Sequence, residues 1–389
     1  RDNGLGITLY RGKQKGVATT SDLSRAELKK SIDAALNIAK YTQADECSGL
    51  PDKALMAVDE KMLDLDYPMH LDVEALTRVA QQCEQSGVEF DQSINNSDGA
   101  SINSHRNLRY YANSHGFSAA VVSTRHSLSC VLLAESEGNK QRDHWYTIAR
   151  DSDELESATL VGEKAASRTI ARLNARPIKT QKAKVMFQAD VAKTLLGHFI
   201  SAVSGTSLYR KSSFLLNSLE SQIFPDFVTM QEKPWLKKGF ASSWFDNEGI
   251  ATREQNLVEN GILKSYLLGS YSARKLNMQP TGHGGGVHNL ILNHQGLDFD
   301  QMLATMGSGL LVTELMGQGV NMITGDYSRG ASGFWVEQGE IQHFVQEITI
   351  AGNLKEMYAN LIAIGNDYDG RSSLNTGSWL INEMTIAAN

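Results

Sequence analysis

The first segment whose residues could do chemistry is an apolar helix, predicted from about Val191 to Val203, that carries His198. A zinc hydrolase needs several protein ligands that converge on the metal and a carboxylate that activates water. Here the next residue is Phe199, and Ala202 and Val203 stand four and five places after the histidine. Because none of these side chains binds a metal or moves a proton, we interpret His198 as a histidine hydrogen-bonded within a packed core or at the wall of a cleft.

A second candidate is the glycine-rich segment from Thr281 to Asn289, in which His283 and His288 flank three consecutive glycines and His294 follows. Its glycines allow the backbone to approach another chain or a ligand closely. They are Gly282, Gly284, Gly285 and Gly286. A metal site built from the three histidines is one alternative, but no cysteine or carboxylate stands at a metal-ligand spacing from them. A loop that binds a peptide or a partner and a plain mobile loop are the other two. The G-x-x-x-x-G-K-[ST] pattern of a phosphate loop is incomplete.

A third candidate, from Thr324 to Gly330, mixes glycines with polar residues. Ordinary β-turn chemistry explains such a segment, although Asp326, Ser328 and Arg329 could also line a cleft. No base for Ser328 can be identified, which argues against a serine-hydrolase triad.

Hairpins and amphipathic helices are the elements that must position these segments. The runs Gly4–Tyr10 and Gly16–Thr20 predict a hairpin, and a helix follows from about Leu28. Further along, Gly116–Val122 and Ser127–Leu133 predict two strands.

The Asn-Gly pair predicts a hairpin at Glu259–Gly261, because both residues of such a turn need positive φ. Another hairpin is predicted at Glu337–Glu340. Helices are predicted over Phe299–Met306 and Leu354–Ile364. Without regular βαβ alternation, the pattern predicts an α+β fold with antiparallel sheets, two smaller N-terminal units and a larger C-terminal β-rich domain.

The predicted domains are residues 1–64, a hairpin–helix domain; residues 65–179, a central α+β domain; and residues 180–389, the C-terminal domain. The chain opens at Arg1, without a methionine and inside a strand-like run, so we expect part of the natural N-terminus to be missing.

The charge, apolar runs and cysteines of the chain limit the classes of partner and the compartment to be expected. The 389 residues carry a net charge of −7 and no clustered basic face, which disfavours direct contact with nucleic acid. No apolar run reaches the roughly 18 residues that span a bilayer. Cys47, Cys83 and Cys130 are widely separated, which predicts reduced thiols and a cytoplasmic protein.

Several long stretches resemble the PmbA (TldE) branch of the TldD/PmbA family, also called peptidase U62 or modulator of DNA gyrase. The stretches are Ser207–Phe214, Ser270–Leu276, Thr281–Asn289, Glu314–Gly319, Thr324–Gly330 and Glu347–Leu354. The resemblance covers essentially the whole chain, and it includes Asn3–Thr8 and Asn113–Gly116.

The resemblance implies a subunit of a heterodimeric cytoplasmic metalloprotease that acts on unfolded or flexible peptides in peptide maturation and antitoxin degradation. In the TldD branch the zinc helix reads H-E-x-x-x-H, and a cysteine near the C-terminus is a further ligand. Laid on this chain, these positions fall on His198, Phe199, Val203 and the region Asn375–Gly377. The base and two of three ligands are therefore absent. The resemblance then implies no catalytic residue, metal or cofactor in this chain, and zinc in a TldD-type partner.

The leading hypothesis is a subunit that guides unfolded peptides through a cleft between the glycine-rich loop and the Thr324–Gly330 segment, by strand-like pairing. The candidate cleft residues are Gly282, His283, Gly284, Gly285, Gly286, His288, Asp326, Ser328 and Arg329. One alternative is a metallopeptidase active by itself through an unrecognised site, for example His283 and His288. Another is a non-enzymatic regulator of DNA gyrase. Self-association is the alternative to a heterodimer.

Overall fold

The computed structural model describes residues 2–388 as helices packed on several separate sheets. The helices are α1 (Arg25–Tyr41), α2 (Val73–Val88), α3 (Ala158–Ala171), α4 (Ala189–Ala202), α5 (Gly205–Tyr209), α6 (Ser270–Lys275), α7 (Phe299–Met306) and α8 (Leu354–Ala359). The strands before α4 are β1 (Leu5–Arg11), β2 (Gln14–Thr20), β3 (Ile94–Ala112), β4 (Ser118–Ser136), β5 (Asn139–Ala149) and β6 (Gln181–Phe187).

The later strands belong to the C-terminal half of the chain. They are β7 (Met230–Glu232), β8 (Gln255–Glu259), β9 (Ile262–Leu263), β10 (Leu290–Leu292), β11 (Gly309–Met316), β12 (Asp326–Glu337), β13 (Glu340–Asn353), β14 (Leu361–Ile364), β15 (Leu374–Asn375) and β16 (Trp379–Ala388). The α+β prediction with antiparallel sheets is confirmed, and two strand pairs, β6–β11 and β10–β15, are parallel.

The N-terminal hairpin and its helix form as predicted. Strands β1 and β2 pair antiparallel from Leu5 opposite Thr20 to Arg11 opposite Gln14. Helix α1 begins after Ser24, whose side chain accepts the backbone N–H of Glu27 and so satisfies one of the free donors of the first turn.

The central sheet consists of β3, β4 and β5, and α2 and α3 pack on it. The prediction of two separate strands in this region is wrong, because β4 runs without a break from Ser118 to Ser136. Two buried polar residues keep the middle of β4 extended. Thr124 accepts the N–H of Tyr67 and donates to the carbonyl of Arg150, and the two ring nitrogens of His126 lie 2.9 and 2.8 Å from Ser104 Oγ and the Tyr67 carbonyl. Satisfied polar groups of this kind do not interrupt a strand.

The main core lies under α4, between two C-terminal sheets. One sheet has the order β13-β12-β11-β6-β16-β14, and β13 also pairs with β16, so that five of its strands close into a ring. The other has the order β15-β10-β7-β8-β9. Buried aromatic rings fill the core, with Phe224 and Tyr358 centroids 4.8 Å apart and Trp379 packed edge-on against Phe224.

The predicted hairpin turns are confirmed. Asn260 and Gly261 join β8 to β9 with φ of 48° and 76°, and Gln338 and Gly339 join β12 to β13 with φ of 52° and 79°. The helix predicted from Leu354 to Ile364 is only partly correct. It ends at Ala359, and the apolar residues after Asn360 pair with β16 as β14.

Two of the three cysteines, Cys83 and Cys130, lie fully buried in the same core beneath α2 and α3 as free thiols. Within residues 2–388, no helix is both long and apolar enough to cross a bilayer.

Two helical glycines make a matched test of packing. A Cβ at Gly162 would overlap the Cys83 carbonyl where α3 crosses α2, whereas a Cβ at Gly197 in α4 meets nothing within 4 Å. Gly162→Ala is therefore expected to cost about 2 kcal/mol of unfolding free energy through overpacking. Gly197→Ala is expected to add up to about 1 kcal/mol through helix propensity. Thermal unfolding followed by circular dichroism checks both changes; equal effects would contradict the packing at this crossing.

Candidate functional site

Helix α4 carries His198 and Phe199, two positions of the TldD zinc helix, and Val203, the third, follows its end. Phe199 and Val203 are fully buried in the main core. The Phe199 ring packs edge-on against Phe224 and Tyr358, at centroid distances of 5.6 and 6.5 Å. A zinc helix would need a base and a second ligand at these two positions. In this chain both positions face the hydrophobic core.

His198 faces a different neighbour, the buried Tyr327 of β12, whose ring lies edge-on at 6.2 Å. Its Nε2 atom is buried and lacks a hydrogen-bond partner. The prediction of a hydrogen-bonded histidine is therefore wrong at this atom. Burial, followed by the charge of Arg329, lowers the pKa of His198. Burial likewise raises the pKa of Tyr327.

Zinc does not fit the surroundings of His198. Within residues 2–388, one group of at least three His, Cys, Asp and Glu side chains lies close enough together to share a metal. That group lies elsewhere and does not include His198. The third ligand region is equally unsuited. Thr376 is buried there, and its hydroxyl accepts the indole N–H of Trp379 at 2.7 Å. The side chains of Phe199 and Val203 thus pack in the core and Thr376 bonds Trp379, which leaves His198 as a lone ligand-type residue.

The Tyr327 hydroxyl provides a test of the His198 neighbourhood, because it is buried without a hydrogen-bond partner. A desolvated polar group that makes no hydrogen bond destabilises the folded state. Tyr327→Phe is therefore expected to leave the free energy of unfolding unchanged or to raise it by about 1 kcal/mol. Denaturant unfolding of the two proteins measures the difference. A loss of more than about 1 kcal/mol would mean that the hydroxyl does make a bond in solution.

The glycine-rich loop, by contrast, does gather ligand-type residues. Glu232, at the end of β7, lies between His283 and His288, and all three are buried. Its Oε2 is 2.8 Å from Nε2 of His283, and its Oε1 is 2.9 Å from Nδ1 of His288. The carboxylate that the sequence pattern lacked thus comes from a distant strand. His294 takes no part in this group; its Nδ1 accepts the N–H of Gly296.

Hydrogen bonds saturate the Glu232 carboxylate. Besides the two histidines, the backbone N–H of His288 and the amide of Gln255 donate to it, each at 2.8 Å. Four donors match the four lone-pair positions of a carboxylate. Burial, the largest single cause, raises the pKa of Glu232, but the hydrogen bonds and charges of His283 and His288 together outweigh burial and hold that pKa well below its usual range. The cluster is therefore a complete hydrogen-bonded unit that fastens both ends of the loop to β7.

The middle of the loop is held by Asp246 and Asn247. The Asp246 carboxylate accepts the N–H of Gly284 at 2.7 Å, and the N–H of Asn247 donates to the Gly284 carbonyl at 2.6 Å. Gly285 and Gly286 have φ of 115° and 119°, which only glycine adopts without strain. Burial raises the pKa of Asp246 above its usual value. The glycines are thus required by the path of the loop.

Gly284, Gly285 and Gly286 form the wall between two cavities. A cavity of about 390 Å³ lies toward the end of α4 and also touches Ser204 and Tyr271. A second, of about 240 Å³, lies toward the central sheet and also touches Arg109, Arg150, Asn247 and His288.

The other half of the predicted cleft does not join these cavities. Asp326, Ser328 and Arg329 are absent from the lining of both. Asp326 instead accepts hydrogen bonds from Thr324 and Asn353, and the Ser328 N–H donates to Gly319. The predicted turn is therefore only partly correct, because Thr324 and Gly325 precede the strand whereas Asp326–Gly330 pair with β13 as the start of β12. A peptide cleft that includes this segment stays a prediction.

Three family models match successive parts of the chain. PmbA/TldA metallopeptidase domain 1 matches residues 1–39, the central domain matches residues 66–173, and the C-terminal domain matches residues 180–388. The chain is also 50% identical over 386 residues to metalloprotease PmbA of Escherichia coli O157:H7, which covers 99% of this chain and 86% of that protein. The chain belongs to the PmbA/TldD family.

Solved structures of similar fold agree with this membership. A candidate modulator of DNA gyrase from Bacteroides thetaiotaomicron superposes with a TM-score of 0.94 at 28% identity, over 99% of this chain and 88% of that one. TldE from Thermococcus kodakarensis superposes with a TM-score of 0.81 over 100% of this chain and 95% of that one. At 18% identity, the TldE likeness concerns the fold alone.

Proposed function

We propose that this chain is the PmbA-type subunit of a TldD/PmbA heterodimer, which holds unfolded peptides while a TldD-type partner supplies zinc and cleaves them. The observation that carries the proposal is the burial of Phe199 and Val203 beside His198. A zinc protease requires a base and converging ligands at such positions, and these two side chains instead pack the core.

The glycine-rich loop is the element proposed to hold the peptide. The backbone N–H groups of Gly285 and Val287 make no hydrogen bond to the described part of the chain, and Gly285 is exposed. Free backbone groups on an exposed loop can pair with an extended peptide as a neighbouring strand would. Because the loop is fastened at both ends through Glu232, its free groups are ordered before the peptide arrives.

Cleavage assays on the chain alone and on the chain with a TldD-type partner test this proposal. With a reduced, unfolded protein as substrate, we expect no cleavage and no stoichiometric zinc for the chain alone, and chelator-sensitive cleavage for the pair. Gly285→Ala, which forces a side chain against Asn247 at positive φ, is expected to slow cleavage by the pair without preventing its assembly. Stoichiometric zinc bound through His198 would refute the proposal.

A second candidate function, a metallopeptidase active by itself, is favoured by one observation. Glu232, His283 and His288 offer ligand atoms within 4.8 Å of one another, and two histidines with one glutamate form a known catalytic zinc set. A metal there would have to displace hydrogen bonds that already saturate the carboxylate. Zinc-dependent cleavage by the isolated chain that is lost in His283→Ala, with the fold retained, would support this candidate over the first.

A further inference from the structure

We infer that the cavity between the central sheet and the glycine-rich loop, lined by Arg109 and Arg150, binds a carboxylate of the peptide. This inference rests on the proposed function and specifies which chemical group of the peptide is recognised. We call this cavity the arginine cavity; it encloses about 240 Å³.

Arg150 is the fixed part of the site. It is 8% exposed, and its guanidinium donates only to carbonyl groups, those of Thr124, Gly239 and Phe240. Its Nε–H is buried and has no partner. A buried guanidinium whose charge no carboxylate balances destabilises the folded state. An anion that approaches it would offset that cost.

Arg109 and Arg125 extend the positive charge. Arg109 lies over the Phe245 ring at 4.9 Å and donates to the Asp246 carbonyl oxygen rather than to its carboxylate. That carboxylate instead accepts the backbone N–H groups of Gly284, Glu248 and Ile250.

Exposed Arg125 lines an adjoining cavity of about 490 Å³, which also touches Arg150. Among the ion pairs of residues 2–388, none involves these three arginines. In a chain of net charge −7, three unpaired arginines around two adjoining cavities therefore produce a local positive potential.

A peptide carboxylate fits this site better than an isolated small anion does. The exposed residues Gly285 and Gly286 separate the arginine cavity from the larger cavity at the end of α4. An extended peptide that pairs with the loop would therefore have one end beside the arginines. Guanidinium groups bind carboxylates through charge-assisted hydrogen bonds, which are stronger and more directional than neutral ones.

Fluorescence anisotropy on the full chain tests the inference with labelled, unstructured peptides that differ in one group. One pair carries Asp or Asn at an internal position, and a second pair ends in a free carboxylate or an amide. We expect one acidic peptide to bind about tenfold more tightly than its neutral counterpart. The pair that shows the difference identifies a side-chain or a terminal carboxylate as the group bound.

Variants locate the effect. Arg125→Met removes an exposed side chain that makes no ion pair in the described part of the chain, so the fold should persist, and the preference should fall about threefold. Arg109→Met should nearly abolish the preference, while Arg25→Met, an exposed arginine on α1 outside both cavities, should preserve it.

Two results would overturn the inference. One is equal affinity for acidic and neutral peptides, which would leave peptide holding itself intact. The other is inorganic phosphate displacing the acidic peptide at concentrations near the peptide's own Kd, which would assign the site to free phosphate. Absence of binding by every peptide, even with a TldD-type partner present, would instead refute the proposed function.

Discussion

Glu232→Gln is expected to lower the free energy of unfolding by about 3 kcal/mol at neutral pH, the largest effect of any isosteric change at the glycine-rich loop. The carboxylate accepts four hydrogen bonds in a buried setting, from two histidine rings, one backbone N–H and one amide. A glutamine side chain would place an NH₂ group against at least one of those donors, leaving buried donors unpaired. Denaturant unfolding followed by fluorescence measures the loss.

Glu254→Gln is the matched control, since Glu254 is exposed and lies directly before the same strand, β8, that supplies Gln255. It is expected to change stability by less than about 0.5 kcal/mol. If Glu232→Gln were as mild as this control, the cluster would not fasten the loop, and the pre-ordered loop of the proposed function would lose its support.

The pH dependence of that difference follows from the pKa of Glu232, which lies well below its usual range in the folded chain. In the unfolded chain a glutamate titrates near pH 4.3, roughly its ordinary value. The folded state therefore binds fewer protons than the unfolded state just below that pH, and the contribution of Glu232 falls as the pH falls. The gap between wild type and Glu232→Gln should thus be complete above about pH 5 and should shrink in acid. A gap that widens in acid would contradict the assignment.

Local patterns in the sequence predicted the elements whose structure depends on neighbouring residues. Asn260–Gly261 and Gln338–Gly339 occupy the positive φ that their hairpins demand. Helix α7 has the predicted bounds, Phe299–Met306, and the structure adds a reciprocal capping box at Asp298. Each of these outcomes is decided within a few residues of chain, where propensity and turn chemistry act.

The features that the sequence did not predict depend on contacts between residues far apart in the chain. Glu232 stands 51 residues before His283, and nothing in its own strand marks it as the partner of two histidines. The continuous strand β4 likewise depends on Thr124 finding Tyr67 and Arg150. The sequence did not mark Arg150 as a candidate binding residue either. It became one because its guanidinium donates only to carbonyl groups in the folded chain. Contacts of this kind are decided by the packing of remote segments.

Phe199→Glu, which introduces a glutamate directly after His198, is expected to unfold the C-terminal part of the chain rather than to create a metal site. Removing the buried ring alone costs roughly 3–5 kcal/mol, and burying an unpaired carboxylate adds several more. That total approaches the whole stability of an ordinary domain. The ring packs edge-on against Phe224 and Tyr358, so the surrounding aromatic core loses its contacts as well. Thermal unfolding and zinc titration measure both parts of the prediction.

Ser201→Glu supplies the control, because it places the same carboxylate on the exposed side of α4, two residues further along. This variant should fold and still bind no zinc, whereas Phe199→Leu should fold with a loss of about 1 kcal/mol. If Phe199→Glu with Val203→His instead folded and bound stoichiometric zinc, the face of α4 that carries these positions would be able to turn outward. In that case the loss of the ligands alone, and not the packing of the core around them, would separate this chain from a zinc protease.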